Sequence, residues 1–220
     1  LSSPVEHNGK VYCGCDNKFL YSIDTKSGEL SWKIKVDSQI HLTAPCILNS
    51  TVFFGSEEKC YAYDFEKKKV VWEYPLSTGA SEFKVYNNNI YFCACPKKSN
   101  GHYLIAIDGK TNKLNWKKWL GQTSWPTPIF SNQQVFVSNI NGTIISFNAD
   151  NGKELYRFEV NGYGDDLVLK NNFLLYQSEE GHLNLIDLKS KKNKWEFKSK
   201  EMSPFDPKTP SFFYVPAIID

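Results

Sequence analysis

Residues 22–32 of this chain read S-I-D-T-K-S-G-E-L-S-W, and the same eleven-residue pattern returns four times. The later copies are A-Y-D-F-E-K-K-K-V-V-W at 62–72, A-I-D-G-K-T-N-K-L-N-W at 106–116, S-F-N-A-D-N-G-K-E-L-Y at 146–156 and L-I-D-L-K-S-K-K-N-K-W at 185–195. The aromatic residues that close the copies stand at 32, 72, 116, 156 and 195, so successive copies are 40, 44, 40 and 39 residues apart. A period of about forty residues is typical of a repeat protein in which each repeat is one small sheet.

The residues between the copies predict the other strands of each repeat. In the first repeat, the pair Asn8-Gly9 is a strong signal for a two-residue hairpin, with one strand before it and one after it. Two further strands are expected at 19–24 and 29–36, and no part of the chain has apolar residues at helical spacing. Four short antiparallel strands in about forty residues form one blade of a β-propeller, so we predict an all-β fold of this class.

We expect a single propeller domain with five repeats and the first strand of a sixth. The repeats are placed at about 1–41, 42–82, 83–126, 127–164 and 165–200, and residues 201–220 are interpreted as a linker followed by the start of a further blade. Two architectures stay open: a ring of five blades with an extra strand, or part of a ring of roughly six to eight blades.

The third residue of each copy is expected to build the turn that follows it. A carboxylate or amide there accepts hydrogen bonds from backbone N–H groups two or more residues later. Gly28 and Gly152 suit the left-handed backbone that closes such a turn, and Asn112 is the next best residue for it. Lys68 and Lys191 stand at the same place, so we expect those two turns to be looser or strained. The turn-building residues are Asp24, Asp64, Asp108, Asn148 and Asp187.

The closing aromatic of each copy is expected to fill the wedge between neighbouring blades, because a flat indole covers a large apolar area. Small residues at the head of the copies leave room for a neighbour's ring, whereas the fifth copy has Leu185 there. That difference fits a last repeat whose neighbouring surface differs from that of the other four repeats. The closing aromatics are Trp32, Trp72, Trp116, Tyr156 and Trp195.

The pattern resembles the tryptophan-docking motif of the pyrroloquinoline-quinone-like (PQQ-like) β-propeller repeat family, Ala-x-Asp-x-x-Thr-Gly-x-x-x-Trp. The resemblance covers residues 3–197 and implies blades held together by docked tryptophans. It also implies two kinds of activity: quinone-dependent dehydrogenases on the one hand, and non-enzymatic assembly factors and scaffolds on the other. The family's bacterial members are mostly exported, whereas unpaired thiols favour a reducing interior, so the compartment stays open.

The cysteines decide between the two kinds of member. The resemblance implies that the dehydrogenases carry an adjacent Cys-Cys disulfide over the quinone and a calcium ion held by carboxylate and amide ligands. The six cysteines here stand at 13, 15, 46, 60, 93 and 95, with no adjacent pair, and we interpret them as small buried hydrophobic residues rather than zinc ligands or disulfides. We therefore expect a non-enzymatic member, with no catalytic residues, no cofactor and no metal site.

Composition limits the partners. The 26 basic and 24 acidic residues give a net charge of only +2, which provides no long-range field to attract nucleic acid or an anionic membrane. Arg157 is the single arginine, so a guanidinium cluster for phosphate is excluded. No apolar run reaches the roughly 18 residues that cross a bilayer. We expect another protein or a peptide as partner, with no nucleic acid and no membrane insertion.

Partner contacts are expected on the end of the propeller that carries two sets of loops, those joining the second and third strands and those leading to the next blade. Exposed aromatic side chains there make good contact residues. The alternative for the tryptophans is that they pack between blades. A ligand-sensing ectodomain and, least favoured, a quinone-dependent dehydrogenase remain the other functional readings. The candidate contact residues are Trp119, Trp125, Tyr163, Asp165 and His102.

Overall fold

The computed structural model of the chain describes residues 2–40, 43–122, 126–161, 166–178 and 181–198. All regular structure in these ranges is β-strand, in agreement with the predicted all-β class. Within the same ranges no helix is long and apolar enough to span a membrane. Contacts divide the chain into two compact units, Leu1–Gly121 and Gln122–Asp220.

The first unit holds three repeats of four antiparallel strands. Its first repeat is a meander in the order β1-β2-β3-β4. Its strands are β1 (Val5–His7), β2 (Lys10–Gly14), β3 (Phe19–Asp24) and β4 (Leu30–Lys35). The second repeat consists of β5 (Cys46–Leu48), β6 (Thr51–Gly55), β7 (Lys59–Asp64) and β8 (Lys69–Ala80). The third repeat consists of β9 (Lys84–Tyr86), β10 (Asn89–Pro96), β11 (His102–Asp108) and β12 (Lys113–Gly121).

Strand β8, with 12 residues, is longer than the fourth strand of any other described repeat. It continues to Ala80, and its second half pairs with β10, so that the second and third repeats share one eight-stranded sheet. The reason is that β9 covers only residues 89–91 of β10, which leaves backbone groups of the remaining residues in need of partners. The Ser81 N–H donates to the Cys93 carbonyl at 2.8 Å, and the Ser81 hydroxyl accepts from the Cys93 N–H at 2.8 Å.

In its described residues, the second unit holds two four-stranded antiparallel sheets, each a meander in chain order. The fourth repeat consists of β13 (Ile129–Ser131), β14 (Gln134–Ser138), β15 (Thr143–Asn148) and β16 (Glu154–Glu159). The fifth repeat consists of β17 (Asp166–Lys170), β18 (Phe173–Gln177), β19 (His182–Asp187) and β20 (Lys192–Lys198).

The cores lie between successive repeats and follow the two-residue alternation of strands. In the second repeat, Val52 and Phe54 pack toward the first repeat, in a core that includes Leu20. Phe53 between them packs toward the third repeat, in a core that includes Phe92. The middle repeat of this unit is therefore buried on both faces. In the second unit, one core joins the fourth repeat to the fifth.

Candidate functional site

One end of every repeat is built by the turn that the repeated pattern encodes. In the first repeat, the backbone N–H groups of Lys26 and Ser27 donate to Asp24 Oδ1, each at 3.0 Å. The predicted role of the third residue is therefore confirmed, because the amides two and three positions later bond to it. The same arrangement recurs at Asp64, Asp108, Asn148 and Asp187.

The turn carboxylates are more acidic than free aspartate. The pKa values of Asp24, Asp108 and Asp187 are lowered, chiefly because backbone amides donate to the charged form of each carboxylate. For Asp64, burial opposes the shift, but the hydrogen bonds and charge of Lys67 outweigh it and the pKa is again lowered. These turns are thus held by ionised side chains at neutral pH.

In all five turns, the residue at the closing position has a left-handed backbone conformation with positive φ. Gly28 has φ +71° and Gly152 has φ +68°, and Asn112 takes φ +54° at the equivalent place. Lys68 and Lys191 adopt φ +53° and +56°, so these two turns keep the common conformation and are not looser. A lysine with positive φ is sterically strained, since its Cβ approaches the following carbonyl oxygen.

Each turn is also tied to the first hairpin of its own repeat. The Thr25 N–H donates to the Gly9 carbonyl at 3.0 Å, and the residue after each turn-building side chain does the same elsewhere. The other bonds run from Phe65 to Ser50, Gly109 to Asn88, Ala149 to Gln133 and Leu188 to Asn172. The hairpin signal at Asn8-Gly9 is one case of a feature that recurs in every repeat, and the recurrence itself was not predicted. Each first hairpin turns at an asparagine with positive φ, at Asn8, Asn49, Asn87, Asn132 and Asn171. This end of each repeat is therefore occupied by structural bonds.

The closing aromatics dock onto the next repeat. The Trp32 ring lies 5.2 Å from the ring of Tyr63 in the second repeat, and Trp72 lies 6.3 Å, edge to face, from Phe92 in the third. Tyr156 belongs to the core that the fourth repeat shares with the fifth, and Lys191 Nζ lies 4.8 Å from its ring centroid. The expected wedge packing holds for these three repeats.

The remaining two tryptophans of the pattern differ from each other. Trp116 is only 8% exposed, and its ring lies 5.9 Å from that of Tyr91. Trp195 is 43% exposed, and Phe197 on the same strand is 56% exposed. Trp195 pairs with Leu185, where the other repeats have a small and fully buried residue. The last tryptophan therefore lacks the cover that Trp116 has.

The opposite end of the repeats brings two kinds of loop together. The Val36 N–H, just after β4, donates to the Lys18 carbonyl in the loop between β2 and β3, at 2.9 Å. The same bond joins Leu76 to Glu58 at 2.7 Å and Val160 to Gly142 at 2.7 Å. In these three repeats, the residue four positions after the closing aromatic thus bonds to the loop between the second and third strands, although in the second repeat that residue still belongs to β8.

Trp119 lies at this end of the third repeat, near the end of β12 rather than in a loop. It is 62% exposed, the highest value for a large hydrophobic side chain among the described residues. Its strand position is opposite Tyr103. A Cβ at Gly101 would lie 2.8 Å from the indole Nε1 and 2.9 Å from the Gly121 carbonyl oxygen, so any side chain at position 101 would displace the ring. The two glycines form a seat that holds the indole with one surface in solvent.

The other candidate contact residues do not extend this site. His102 is the first residue of β11 and is buried, and burial lowers the pKa of its imidazole. We therefore leave it out of the contact surface. Trp125, Tyr163 and Asp165 lie outside the described residues.

The cysteines and acidic residues of the described ranges do not form the ligand set of a quinone centre. There, no group of three or more His, Cys, Asp or Glu side chains converges as metal ligands do. Cys46, Cys60 and Cys93 are buried thiols, and burial raises the pKa of each. These residues do not fit the disulfide and calcium ligands of a quinone centre.

Comparison with known proteins identifies the repeat family. A family model described as outer membrane protein assembly factor BamB matches residues 2–197. The chain is 23% identical over 211 residues to the outer membrane protein assembly factor BamB of Yersinia pestis, covering 85% of this chain and 51% of the relative. It is 25% identical over 159 residues to a tetrathionate hydrolase of Acidithiobacillus ferrooxidans, covering 72% of this chain and 28% of the relative. The chain thus spans about half or less of the length of these curated relatives.

Solved structures share the fold. BamB from Moraxella catarrhalis superposes with a TM-score of 0.67 at 16% identity, covering 90% of this chain and 60% of that one. A europium-containing methanol dehydrogenase superposes with a TM-score of 0.72 at 9% identity, covering 89% of this chain and 50% of that one. At such low identity the likeness concerns the fold alone.

Proposed function

The chain belongs to the PQQ-like β-propeller repeat family whose model is described as outer membrane protein assembly factor BamB, and from that premise we propose that it is a non-catalytic scaffold that binds another protein. The contact surface is the Trp119 end of the third repeat. The observation that carries the proposal is the exposure of the Trp119 indole on its seat of Gly101 and Gly121.

The energetics of Trp119 favour a binding role over a packing role. An indole exposed by 62% leaves roughly 150 Å² in contact with water, since a tryptophan presents up to about 250 Å². Covering that area by a partner releases roughly 4 kcal/mol before the costs of association, at about 25 cal/mol per Å². Tryptophan is among the residues that dominate measured interface energies.

Relatives support a scaffold more than an enzyme. BamB of Yersinia pestis is named as an assembly factor, and the alignment with it covers more of this chain than the alignment with the tetrathionate hydrolase. The dehydrogenase likeness rests on a shared fold at 9% identity. Its quinone chemistry needs ligands that the described residues do not bring together, so we derive no catalytic step.

Photo-crosslinking tests the proposed contact. A photoreactive phenylalanine analogue at position 119 of the full chain is expected to form an adduct with a defined protein in the cells that make the chain. The matched control places the analogue at Leu155, which is also an exposed apolar residue on a fourth strand. An adduct from both positions alike, or from neither, contradicts the proposal.

Absorption spectroscopy tests the non-catalytic part. Purified chain mixed with pyrroloquinoline quinone and calcium is expected to give the sum of the separate spectra. A saturable, stoichiometric change in the quinone spectrum contradicts a purely scaffolding role.

A further inference from the structure

The near neutrality of the whole chain hides a strong local charge. Residues 83–122 contain seven lysines and one acidic residue, Asp108, a balance of +6. The rest of the chain holds 19 basic and 23 acidic residues, a balance of −4. Third-repeat charge is therefore opposite in sign to that of the remaining chain, and a count over the full length does not reveal it.

The basic residues gather at the Trp119 end. Lys97 and Lys98 lie in the loop between β10 and β11, which leads directly to Gly101. Lys117 and Lys118 immediately precede Trp119 on β12. The lone acid stands at the other end of β11, where its carboxylate binds the turn amides. The Trp119 end of the repeat thus carries four lysines and no carboxylate of its own.

Most lysines of the third repeat form no ion pair among the described residues. In the third repeat, Lys84 forms an ion pair, with Glu82 at 2.7 Å. Lys117 Nζ lies 5.2 Å from the ring centroid of Tyr103, a cation–π contact that leaves its charge available. No carboxylate that the structure describes forms an ion pair with Lys97, Lys98 or Lys118. A cluster of like charges without counter-charges raises the local potential and attracts an anionic partner.

The chemistry of the surface favours carboxylates over phosphates. Two-point recognition of phosphate uses the bidentate fork of arginine, and the third repeat contains no arginine; its lysines act as point charges, which pair equally well with carboxylates. An exposed indole with lysines before it on its own strand and in the adjoining loop suits an acidic segment that also carries an apolar side chain, since interfaces place an aromatic anchor inside a polar rim.

We propose that the Trp119 end of the third repeat binds an acidic segment of a partner polypeptide, with carboxylates on Lys97, Lys98, Lys117 and Lys118 around an apolar contact on the indole. The inference rests on the proposed scaffold function and adds the chemistry of the partner.

The test measures binding of labelled probes to the full chain by fluorescence anisotropy. The acidic probe is a short peptide that alternates aspartate and glutamate with leucine, and its control replaces the acids by asparagine and glutamine. The acidic peptide is expected to bind tighter than its control at low salt, with most of the difference lost at roughly 0.5 M salt. Phosphatidylglycerol vesicles and a single-stranded oligonucleotide are the competing probes.

Matched lysine variants locate the site. The double variant Lys117→Gln with Lys118→Gln is expected to weaken acidic-peptide binding about five- to tenfold at low salt. The control, Lys110→Gln with Lys113→Gln, removes the same charge from the same repeat at its opposite end and is expected to change binding less than twofold. Equal losses in the two double variants, or a preference for vesicles or oligonucleotide over the peptide, overturns the inference.

Trp119→Ala separates this inference from the function on which it rests. If the partner identified by crosslinking no longer co-purifies with the Trp119→Ala chain but still co-purifies with both lysine double variants, the scaffold proposal stands and the acidic-partner inference fails. If the partner is kept with Trp119→Ala as well, both fail.

Discussion

Replacing the closing tryptophans one at a time measures how much each wedge stabilises the fold. Trp116 is 8% exposed and Trp195 is 43% exposed, although they occupy the same place in the repeated pattern. With up to about 250 Å² per tryptophan, the difference in covered area is roughly 90 Å². At about 25 cal/mol per Å², Trp116→Ala is expected to cost about 2 kcal/mol more of the free energy of unfolding than Trp195→Ala.

The absolute losses follow from core substitutions in general. Trp116→Ala is expected to cost about 3–5 kcal/mol, because a buried aromatic is removed and a cavity remains. Urea unfolding followed by far-ultraviolet circular dichroism gives both values without depending on the tryptophan signal. Should Trp116→Ala fail to fold, Trp116→Phe in place of it keeps the comparison. Equal losses at the two positions, or a larger loss at 195, refute the idea that the burial of each closing tryptophan sets its contribution to stability.

Three further outcomes are expected. Gly28→Ala should lower the free energy of unfolding by about 1 kcal/mol purely through the positive φ, since the added Cβ would meet no atom within 4 Å. Lys68→Gly should leave the free energy of unfolding unchanged or raise it, because it relieves the positive φ of a lysine. The opposite order in urea unfolding refutes the strained turn. The turn aspartates have lowered pKa values, so their contribution to stability is present above the unfolded value of about 3.9 and is lost as pH falls through the folded values. The urea concentration at the midpoint of unfolding should therefore decrease as the pH is lowered below about 4, and Asp108→Asn should make that decrease smaller. A pH profile of Asp108→Asn identical to that of the unchanged chain contradicts this prediction. Gly101→Ala should displace the aromatic ring at position 119 and so weaken crosslinking by the analogue placed there. Gly79→Ala, where a Cβ has open space, should not weaken it.

The repeated pattern predicted the local structure well because its signals are local. Asp24 and its equivalents bind amides two and three residues away, so spacing alone identifies the turn. The strained Lys68 follows from the same alignment of copies, because the turn requires a left-handed residue at that place. The hairpin asparagines recur with a similar period, and Asn8-Gly9 predicted the first of these hairpins from its two residues alone.

The features that depend on distant contacts were not predictable. The extension of β8 needs Ser81 to meet Cys93, and nothing in either segment alone signals that pairing. The seat under Trp119 depends on Gly101, which lies just before β11, whereas Trp119 is on β12. The close approach of the indole to this glycine is a contact between two segments, and neither segment alone signals it. His102 was predicted to lie in an exposed loop, but it is the first residue of β11 and is buried. Its burial depends on the register of that strand, which the local sequence does not reveal.

Hydrogen–deuterium exchange of the chain with and without its crosslink-identified partner tests the central claim most directly. The account predicts that binding slows exchange in the loop 97–101 and at residues 117–121 of β12. It predicts no change in the turns at 24–28 and 108–112, whose amides are already bonded within each repeat. Protection confined to those turns, or no protection at 97–101 and 117–121, would contradict the account.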